Sequence, residues 1–246
     1  MKATLFVTCL GDTFYPRIGR ATLRVLERIG HIVSVPRDQT CCGQPMFNAG
    51  YFDEARAVAR RFLDLFDETT GPIIAPSSSC AAMVRLHYPE LFKEEALYRA
   101  KADTVGKRTF EFCEFLVHQQ KFRMADWGGR FDRSVTFHRS CHYRGLGIKE
   151  EPIDLIKQIP GIRYIPLEKI DQCCGFGGTF SLNLPHVSRA MAAEKVEAIQ
   201  RSGAELLIYA DPGCLMNITG YAHRIGAELP VLHIAELLDQ AMGNGS

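Results

Sequence analysis

Two short segments of the sequence place adjacent cysteines directly before a glycine. They read DQTCCGQP at residues 38–45 and DQCCGFGG at residues 171–178. Adjacent thiols are prone to oxidation, and a core that needs only a small apolar side chain has no use for two of them side by side. Thiolates bind zinc and iron-sulfur clusters and attack disulfides. The repeated pair therefore predicts metal or redox chemistry.

Eight of the nine cysteines recur at a constant spacing, which indicates an internal duplication. Three of the recurring pairs are 132 positions apart and the fourth is 134 positions apart. The pairs are Cys9 with Cys141, Cys41 with Cys173, Cys42 with Cys174, and Cys80 with Cys214. The flanking sequences agree as well, since IIAPSSSCAAMV matches LIYADPGCLMNI. We predict one cysteine-rich lobe at residues 1–126 and a second at residues 134–246, with the join in the polar, glycine-containing tract 123–134.

Cys113 is the one cysteine without a counterpart in the other half. It lies in FEFCEFLV, where Phe112, Phe115 and Leu116 fall at helical spacing. We interpret it as a buried core thiol outside the site.

Each half reads as strand, helix, strand, cysteine loop, helix, strand, cysteine, helix. This alternation predicts an α/β fold of two pseudo-symmetric Rossmann-like lobes with parallel sheets. Ligands of such sheets bind beyond the carboxyl ends of the strands. The single cysteines come shortly after predicted strands, and both pairs occupy the loop after the second strand of their half. We therefore expect all eight sulfurs along one edge.

Four thiols at an edge suit a structural zinc, an iron-sulfur cluster or a pair of disulfides. Zinc is disfavoured because the C-x2-C spacing is missing: the third position after Cys80 is Met83, and the third after Cys214 is Asn217. Adjacent Cα atoms are only about 3.8 Å apart. Two neighbouring thiolates on one ion would strain the backbone, whereas a cluster offers several irons.

Several residues near the cysteines could affect the stability or reduction potential of such a centre. Gly43 and Gly175 can take positive φ and let the backbone approach the bound group. The segment HRSCHYR surrounds Cys141 with two histidines and two arginines, which read either as charges for an anionic centre or as ordinary surface residues. Ser77, Ser78 and Ser79 either donate hydrogen bonds to sulfur or form a polar turn.

Composition excludes several classes of partner. Lys and Arg number 29 against 28 for Asp and Glu, so no overall positive field points to nucleic acid. The first apolar stretch, ATLFVTCL, is far shorter than a spanning helix and is not followed by a cleavage site, so we expect no membrane insertion. Nine cysteines without a secretory signal predict a cytoplasmic protein.

The spacing of the eight cysteines resembles the duplicated cysteine-rich CCG-domain family. That domain occurs in the cysteine-rich subunit of heterodisulfide reductase and in iron-sulfur subunits of glycolate oxidase and anaerobic glycerol-3-phosphate dehydrogenase. With CCGFGGTFS and CLMNI, this chain is most similar to the members that act in bacterial lactate utilization. In heterodisulfide reductase the motif ends in C-x2-C and binds non-cubane clusters, whereas Met83 and Asn217 leave four cysteines per half here.

The resemblance implies a cytoplasmic iron-sulfur oxidoreductase subunit in the oxidation of L-lactate to pyruvate. The implied partners are a ferredoxin-type iron-sulfur subunit and a third small subunit, and a small hydroxy acid is a possible substrate. One or two clusters, expected to be [4Fe-4S], would be held by the two groups of four: Cys9, Cys41, Cys42 and Cys80, and Cys141, Cys173, Cys174 and Cys214.

Two alternatives stay open. One is a cluster-free protein whose thiols bind zinc or cycle through disulfides, as a redox sensor or scaffold. The other is the analogous subunit of a glycolate-oxidising or glycerol-3-phosphate-oxidising complex. The sequence has no flavin or nicotinamide fingerprint, so catalytic residues are not assigned.

Overall fold

The fold consists of two four-stranded sheets with all strands parallel, as a computed structural model of residues 1–243 describes it. The strand order is β2-β1-β3-β4 in the first sheet and β6-β5-β7-β8 in the second. The strands are β1 (Lys2–Leu5), β2 (Ile32–Ser34), β3 (Ile73–Ala75), β4 (Thr109–Glu111), β5 (Ser134–Phe137), β6 (Arg163–Tyr164), β7 (Leu206–Tyr209) and β8 (Val231–His233). The identical orders confirm the α/β prediction and the duplication.

Helices connect the strands of each sheet. Those of the first half are α1 (Cys9–Phe14), α2 (Pro16–Arg28), α3 (Gln44–Asn48), α4 (Phe52–Asp67), α5 (Ser78–Ala82), α6 (Tyr88–Leu91), α7 (Ala96–Arg108) and α8 (Phe112–Glu114). Those of the second half are α9 (Tyr143–Leu146), α10 (Glu151–Lys157), α11 (Phe180–Asn183), α12 (Pro185–Ser202), α13 (Pro212–Arg224) and α14 (Ile234–Ala241). Short π-helical turns at Met83–His87 and Phe115–Gln119 and a 3₁₀ turn at Met124–Trp127 complete the helical structure of residues 1–243.

The fourth strand of each sheet was not predicted, because it is only three residues long and runs directly into a helix. At the first of these junctions the side chain of Glu111 accepts hydrogen bonds from the first N–H groups of α8, and the side chain of Glu114 accepts one from the N–H of Glu111. His233 and Glu236 form the same reciprocal capping box at α14. In the sequence these strands are read as part of the helix that follows, because the helix supplies the only clear apolar periodicity of the segment.

The two halves pack against each other through several pairs of helices. Helix α14 lies on α2 and α10 lies on α8, while α13 contacts α1 and α5 contacts α9. One continuous apolar core includes Phe6 and Ile74 of the first sheet together with Phe137 and Ile208 of the second. Among the helices of residues 1–243, none combines the length and apolar character needed to cross a membrane.

Candidate metal centres

The first cysteine group lies beyond the carboxyl ends of β1, β2 and β3. The Sγ atoms of Cys9 and Cys41 are 3.4 Å apart, and those of Cys42 and Cys80 are 3.6 Å apart. The four side chains line a cavity of about 230 Å³, which Phe176 and other residues of the second half close from the opposite side. The prediction that these four residues gather at one edge is therefore matched by their positions.

The second group lies at the equivalent edge of the second sheet. Cys141 follows β5, Cys173 and Cys174 follow β6, and Cys214 lies in the first turn of α13 after β7. Cys141 and Cys174 are near enough to Cys173 to shift its pKa, and the sulfurs of Cys174 and Cys214 lie within 4.8 Å of each other. Both groups thus bring their four predicted cysteines together.

Neighbouring thiols favour the thiolate form of one cysteine in each group. The pKa of Cys41 is lowered to about 3 by the thiols of Cys42 and Cys9, and Cys9 donates to its sulfur at 3.4 Å. The pKa of Cys173 is lowered to about 2 by the neighbouring thiols of Cys141 and Cys174. The first cysteine of each pair is therefore the one that most readily forms a thiolate, which is the form that binds metal and attacks disulfides.

The glycine after each pair supports that thiolate directly. The backbone N–H groups of Gly43 and Gly175 donate to the sulfurs of Cys41 and Cys173, in both cases at 3.4 Å. Their φ angles of 83° and 82° are in the left-handed region, which favours glycine. At Gly175 a Cβ atom would also lie 2.9 Å from the carbonyl oxygen of Ser188. The motif needs glycine for its backbone conformation and, in the second half, for space.

The residues at the third position after the last cysteine differ between the halves. Asn217 donates its amide to the carbonyl oxygen of Cys174 at 2.7 Å. In the first half Met83 has no such group, and the hydroxyl of Tyr88 donates to the carbonyl oxygen of Cys42 at 2.8 Å instead. Each pair is therefore held by one side-chain donor, supplied from a different position.

The three serines before Cys80 bind a carboxylate of the other half. The hydroxyl groups of Ser77 and Ser78 and the backbone N–H of Ser79 all donate to Oδ2 of Asp211, at 2.8 to 3.2 Å. The other oxygen of Asp211 accepts from the N–H of Gly213 and caps α13. The interpretation of these serines as donors to sulfur is therefore wrong; they join the two halves between the two cysteine groups.

Two basic side chains are buried at the second group. His138 follows β5 and is 1 % exposed, and Lys195 of α12 is fully buried. Nζ of Lys195 donates to the carbonyl oxygen of Lys169 at 2.9 Å, just before the cysteine pair. Burial lowers the pKa of Lys195, and nearby Cys174 and Cys214 oppose that shift. Burial also lowers the pKa of His138, to about 3, so its imidazole is neutral.

Lys195 was not predicted as part of this site. A signal was present, because Lys195 lies among the apolar residues of one helix face with Ala192, Val196 and Ile199. A lysine in an apolar stripe indicates a buried cation with a partner. The position of the partner depends on the tertiary fold.

Two other side chains of HRSCHYR have partners outside the cysteine group. Arg139 forms ion pairs with Glu150 and Asp171, while His142 contacts the side-chain amide of Gln44 at 3.0 Å. These side chains therefore hold together the segments around the site.

Cys113 lies outside both groups. It is fully buried, which confirms the expectation of a core thiol. The hydroxyl of Tyr143 lies 3.9 Å from its sulfur.

The donor set of each group fits a soft metal centre. The sulfurs of the first group lie in two contacting pairs, and in the second group those of Cys174 and Cys214 lie within 4.8 Å of each other. Four cysteines gathered in this way match the ligands of iron-sulfur clusters and of zinc. The cavity of the first group is lined mainly by apolar atoms, which is typical of a site that excludes water from such a centre.

Comparisons with known proteins agree on the duplicated motif. The profile of a family described as "CCG: Cysteine-rich domain" matches residues 3–85 and 135–219. The chain is 43 % identical over 243 residues to lactate utilization protein A of an Exiguobacterium species, covering 98 % of both chains. It is also 43 % identical over 240 residues to lactate utilization protein A of Bacillus pumilus, covering 97 % of this chain and 99 % of that one.

Among solved structures, a hypothetical protein from Helicobacter pylori has a similar fold. The TM-score is 0.72 at 11 % sequence identity, and the match covers 100 % of this chain but 49 % of that chain. This similarity supports the duplicated α/β architecture alone.

Proposed function

This chain belongs to the cysteine-rich CCG-domain family, and on that basis we propose that it is an iron-sulfur oxidoreductase subunit that acts in the oxidation of L-lactate to pyruvate. In this proposal each group of four cysteines holds one cluster, expected to be [4Fe-4S]. The chain works in the cytoplasm with a ferredoxin-type iron-sulfur subunit and a third small subunit.

One observation carries the proposal: four thiols from each half meet at the carboxyl edge of its sheet. In the first group Cys9 lies 3.4 Å from Cys41 and Cys42 lies 3.6 Å from Cys80, so that the two pairs join three different strand-to-helix connections. A fold that needed these cysteines only as core residues would not bring them to the same edge twice. A cluster bound there supplies one-electron transfer.

The protein's own residues would prepare both sites for a metal. Gly43 and Gly175 donate hydrogen bonds to a sulfur of each group, and such bonds raise the reduction potential of thiolate-bound iron. Asp211 links the serines of one half to α13 of the other, so that the distance between the two groups is fixed. Fixed spacing between two redox centres is what electron transfer through one chain requires.

Lactate as the substrate rests on the relatives. Proteins named lactate utilization protein A share 40 to 43 % identity with this chain over nearly its full length. At that level of identity, together with both complete motifs, we extend the role in their name to this chain. The site in contact with the hydroxy acid is assigned to no residue here.

A metal analysis followed by a reduction assay tests the proposal. We expect anaerobically purified protein to be brown and to contain iron and sulfide in equal amounts at both groups. Co-purified with its partner subunits, it should be reduced by L-lactate, and the same preparation offered glycolate or glycerol 3-phosphate tests the alternative substrates. Protein with less than about one iron per chain contradicts the proposal.

A cluster-free thiol function is the second candidate, favoured by the same sulfur contacts. The pKa values of Cys41 and Cys173 are lowered by neighbouring thiols, and Cys9 lies 3.4 Å from Cys41, an arrangement that also suits zinc or disulfide exchange. Stoichiometric zinc under anaerobic preparation, or reversible loss of two thiols per half on mild oxidation without bound metal, would select this candidate.

A further inference from the structure

We propose that His138 supplies a nitrogen ligand to the iron centre of the second cysteine group. That centre would then be bound by three of its four cysteines and one imidazole, whereas the centre of the first group would be bound by sulfur alone. The inference rests on the proposed function in one respect, namely that the second group holds iron.

The side chain of His138 is buried without a partner. It is 1 % exposed, and neither Nδ1 nor Nε2 has a hydrogen-bond partner among residues 1–243. Leaving a buried polar atom unpaired destabilises a fold by about 1 to 3 kcal/mol. Such an atom in a native protein calls for an explanation, and a bound ion is one of the few available.

The imidazole of His138 lies beside two sulfurs of the second group. One of its ring nitrogens and the sulfurs of Cys174 and Cys214 all lie within 4.8 Å of one another, a grouping formed by three buried side chains. A [4Fe-4S] cluster takes four protein ligands in all, so the imidazole would bind in place of one of the four cysteines of the group. With a metal–nitrogen bond of roughly 2.1 Å, small side-chain movements suffice to bring the ring nitrogen to a metal held beside these two sulfurs.

The first half has phenylalanine at the equivalent position. The backbone N–H of His138 donates to the carbonyl oxygen of Ile208 at 2.9 Å, and that of Phe6 donates to Ile74 at the same distance. Phe6 packs edge-on against Phe62 at 4.8 Å between ring centroids and offers no ligand atom. The first group is complete without nitrogen, so the imidazole is a specific addition to the second.

The neighbouring histidine is a weaker candidate. Nδ1 of His142 lies 3.8 Å from the sulfur of Cys141, but its Nε2 already contacts the amide of Gln44. This side chain is partnered and lies outside the group of buried ligand atoms. His142 is therefore the natural control.

Replacement of cysteine by histidine on iron is known chemistry with a measurable consequence. In Rieske centres two histidines replace two cysteines on one iron, and the reduction potential is raised. With an imidazole in place of an anionic thiolate, and with Lys195 buried at the same group, the second centre should accept an electron more readily than the first.

The experiment uses the full chain labelled with ¹⁵N-histidine, in the Cys41→Ser background so that the second group dominates the signal. The anaerobically purified, reduced protein is examined by pulsed electron paramagnetic resonance. We expect a histidine nitrogen coupled far more strongly than the backbone nitrogens. The coupling should disappear in His138→Phe, which installs the residue of the first half, and persist in His142→Phe.

The outcomes separate the two proposals. Protein without iron overturns the proposed function and this inference together. Protein with iron in the second group but without a strong histidine coupling, or with a coupling that His142→Phe removes, overturns the inference alone. Because the labelled protein retains His138, the test does not depend on the folding of His138→Phe.

Discussion

The two cysteine groups share their sulfurs and backbone but not their surroundings. Behind the first group Phe6 packs on Phe62, whereas His138 and Lys195 are buried at the second group. Met83 is replaced by Asn217, which binds the carbonyl of Cys174. The two halves therefore share their cysteines and loop conformation and differ in the residues packed around them.

With a cluster in each group, as proposed, this difference would give the two centres different reduction potentials. A centre in an apolar shell disfavours added negative charge, while one beside a buried cation favours it. Electrons that enter through the first half would therefore settle on the second. Matched variants in the two halves test whether the centres differ in this way.

The largest effect should come from the thiolate cysteines. Cys41→Ser and Cys173→Ser each remove the central sulfur of one group, so each variant should lose about half of the iron of the wild-type chain. Cys113→Ser, which alters a buried thiol outside both groups, should retain all of it. Equal losses from all three variants, by anaerobic iron and sulfide analysis, would show that the division into two groups is wrong.

The link between the halves should come next. Asp211→Ala removes the acceptor for Ser77, Ser78 and the N–H of Ser79, and leaves these donors unpaired in the interior. We expect a loss of about 3 kcal/mol or more in the free energy of unfolding. Ser78→Ala removes a single donor to Asp211 and should lose about 1 kcal/mol. Denaturant titration measures both, and equal losses would contradict the central role of Asp211.

Glu111 and His233, the capping residues that end the last strand of each sheet, should make stability depend on pH in opposite directions. Burial raises the pKa of Glu111 to about 8, so its stabilising effect is complete below pH 4.5 and is lost as pH rises towards 8. Burial lowers the pKa of His233 to about 4, so stability falls as pH drops from 6.5 to 4. Each slope is about 1.4 kcal/mol per pH unit.

Glu111→Gln isolates the first of these slopes. The amide can still accept from the N–H groups of Cys113 and Glu114, and it does not ionise. The difference in unfolding free energy between this variant and wild type should change steadily between pH 5 and pH 8, as the wild type loses stability relative to the variant. A difference that is constant over that range would mean that Glu111 does not titrate on unfolding.

The smallest effect is expected from Lys195→Met. Loss of this ammonium removes roughly 1 to 3 kcal/mol of interaction with the negative charge of the reduced second centre. The potential of that centre should become more negative, with iron content and the first potential unchanged. Redox titration followed by electron paramagnetic resonance separates the two signals; a shift of both potentials would contradict the assignment of Lys195 to one half.

The sequence predicted the features that depend on local pattern. Cysteine spacing indicated the duplication, and the alternation of strands and helices indicated parallel sheets with all eight cysteines at their carboxyl edges. The boundaries at residues 126 and 134 stay a prediction, as does the role of the cysteines as ligands. Strands β4 and β8 were missed, because three extended residues before a capped helix have no periodicity of their own.

Contacts between the halves could not be predicted from the sequence. Ser77 and Asp211 are 134 positions apart, and their hydrogen bond follows only from the packing of the two lobes. The unpaired state of His138 is likewise a property of the assembled interior, although its place in HRSCHYR was visible. The sequence shows that Lys195 lies in an apolar stripe of a helix, which is unusual for a lysine. It does not show which residues surround the ammonium group in the folded protein.

Metal content decides whether each group of four cysteines binds a cluster. Iron, acid-labile sulfide and zinc should be measured on the wild-type chain purified without oxygen. We predict about four irons and four sulfides for each filled group, with little zinc. Stoichiometric zinc, or no metal in protein whose thiols remain free, would contradict cluster binding.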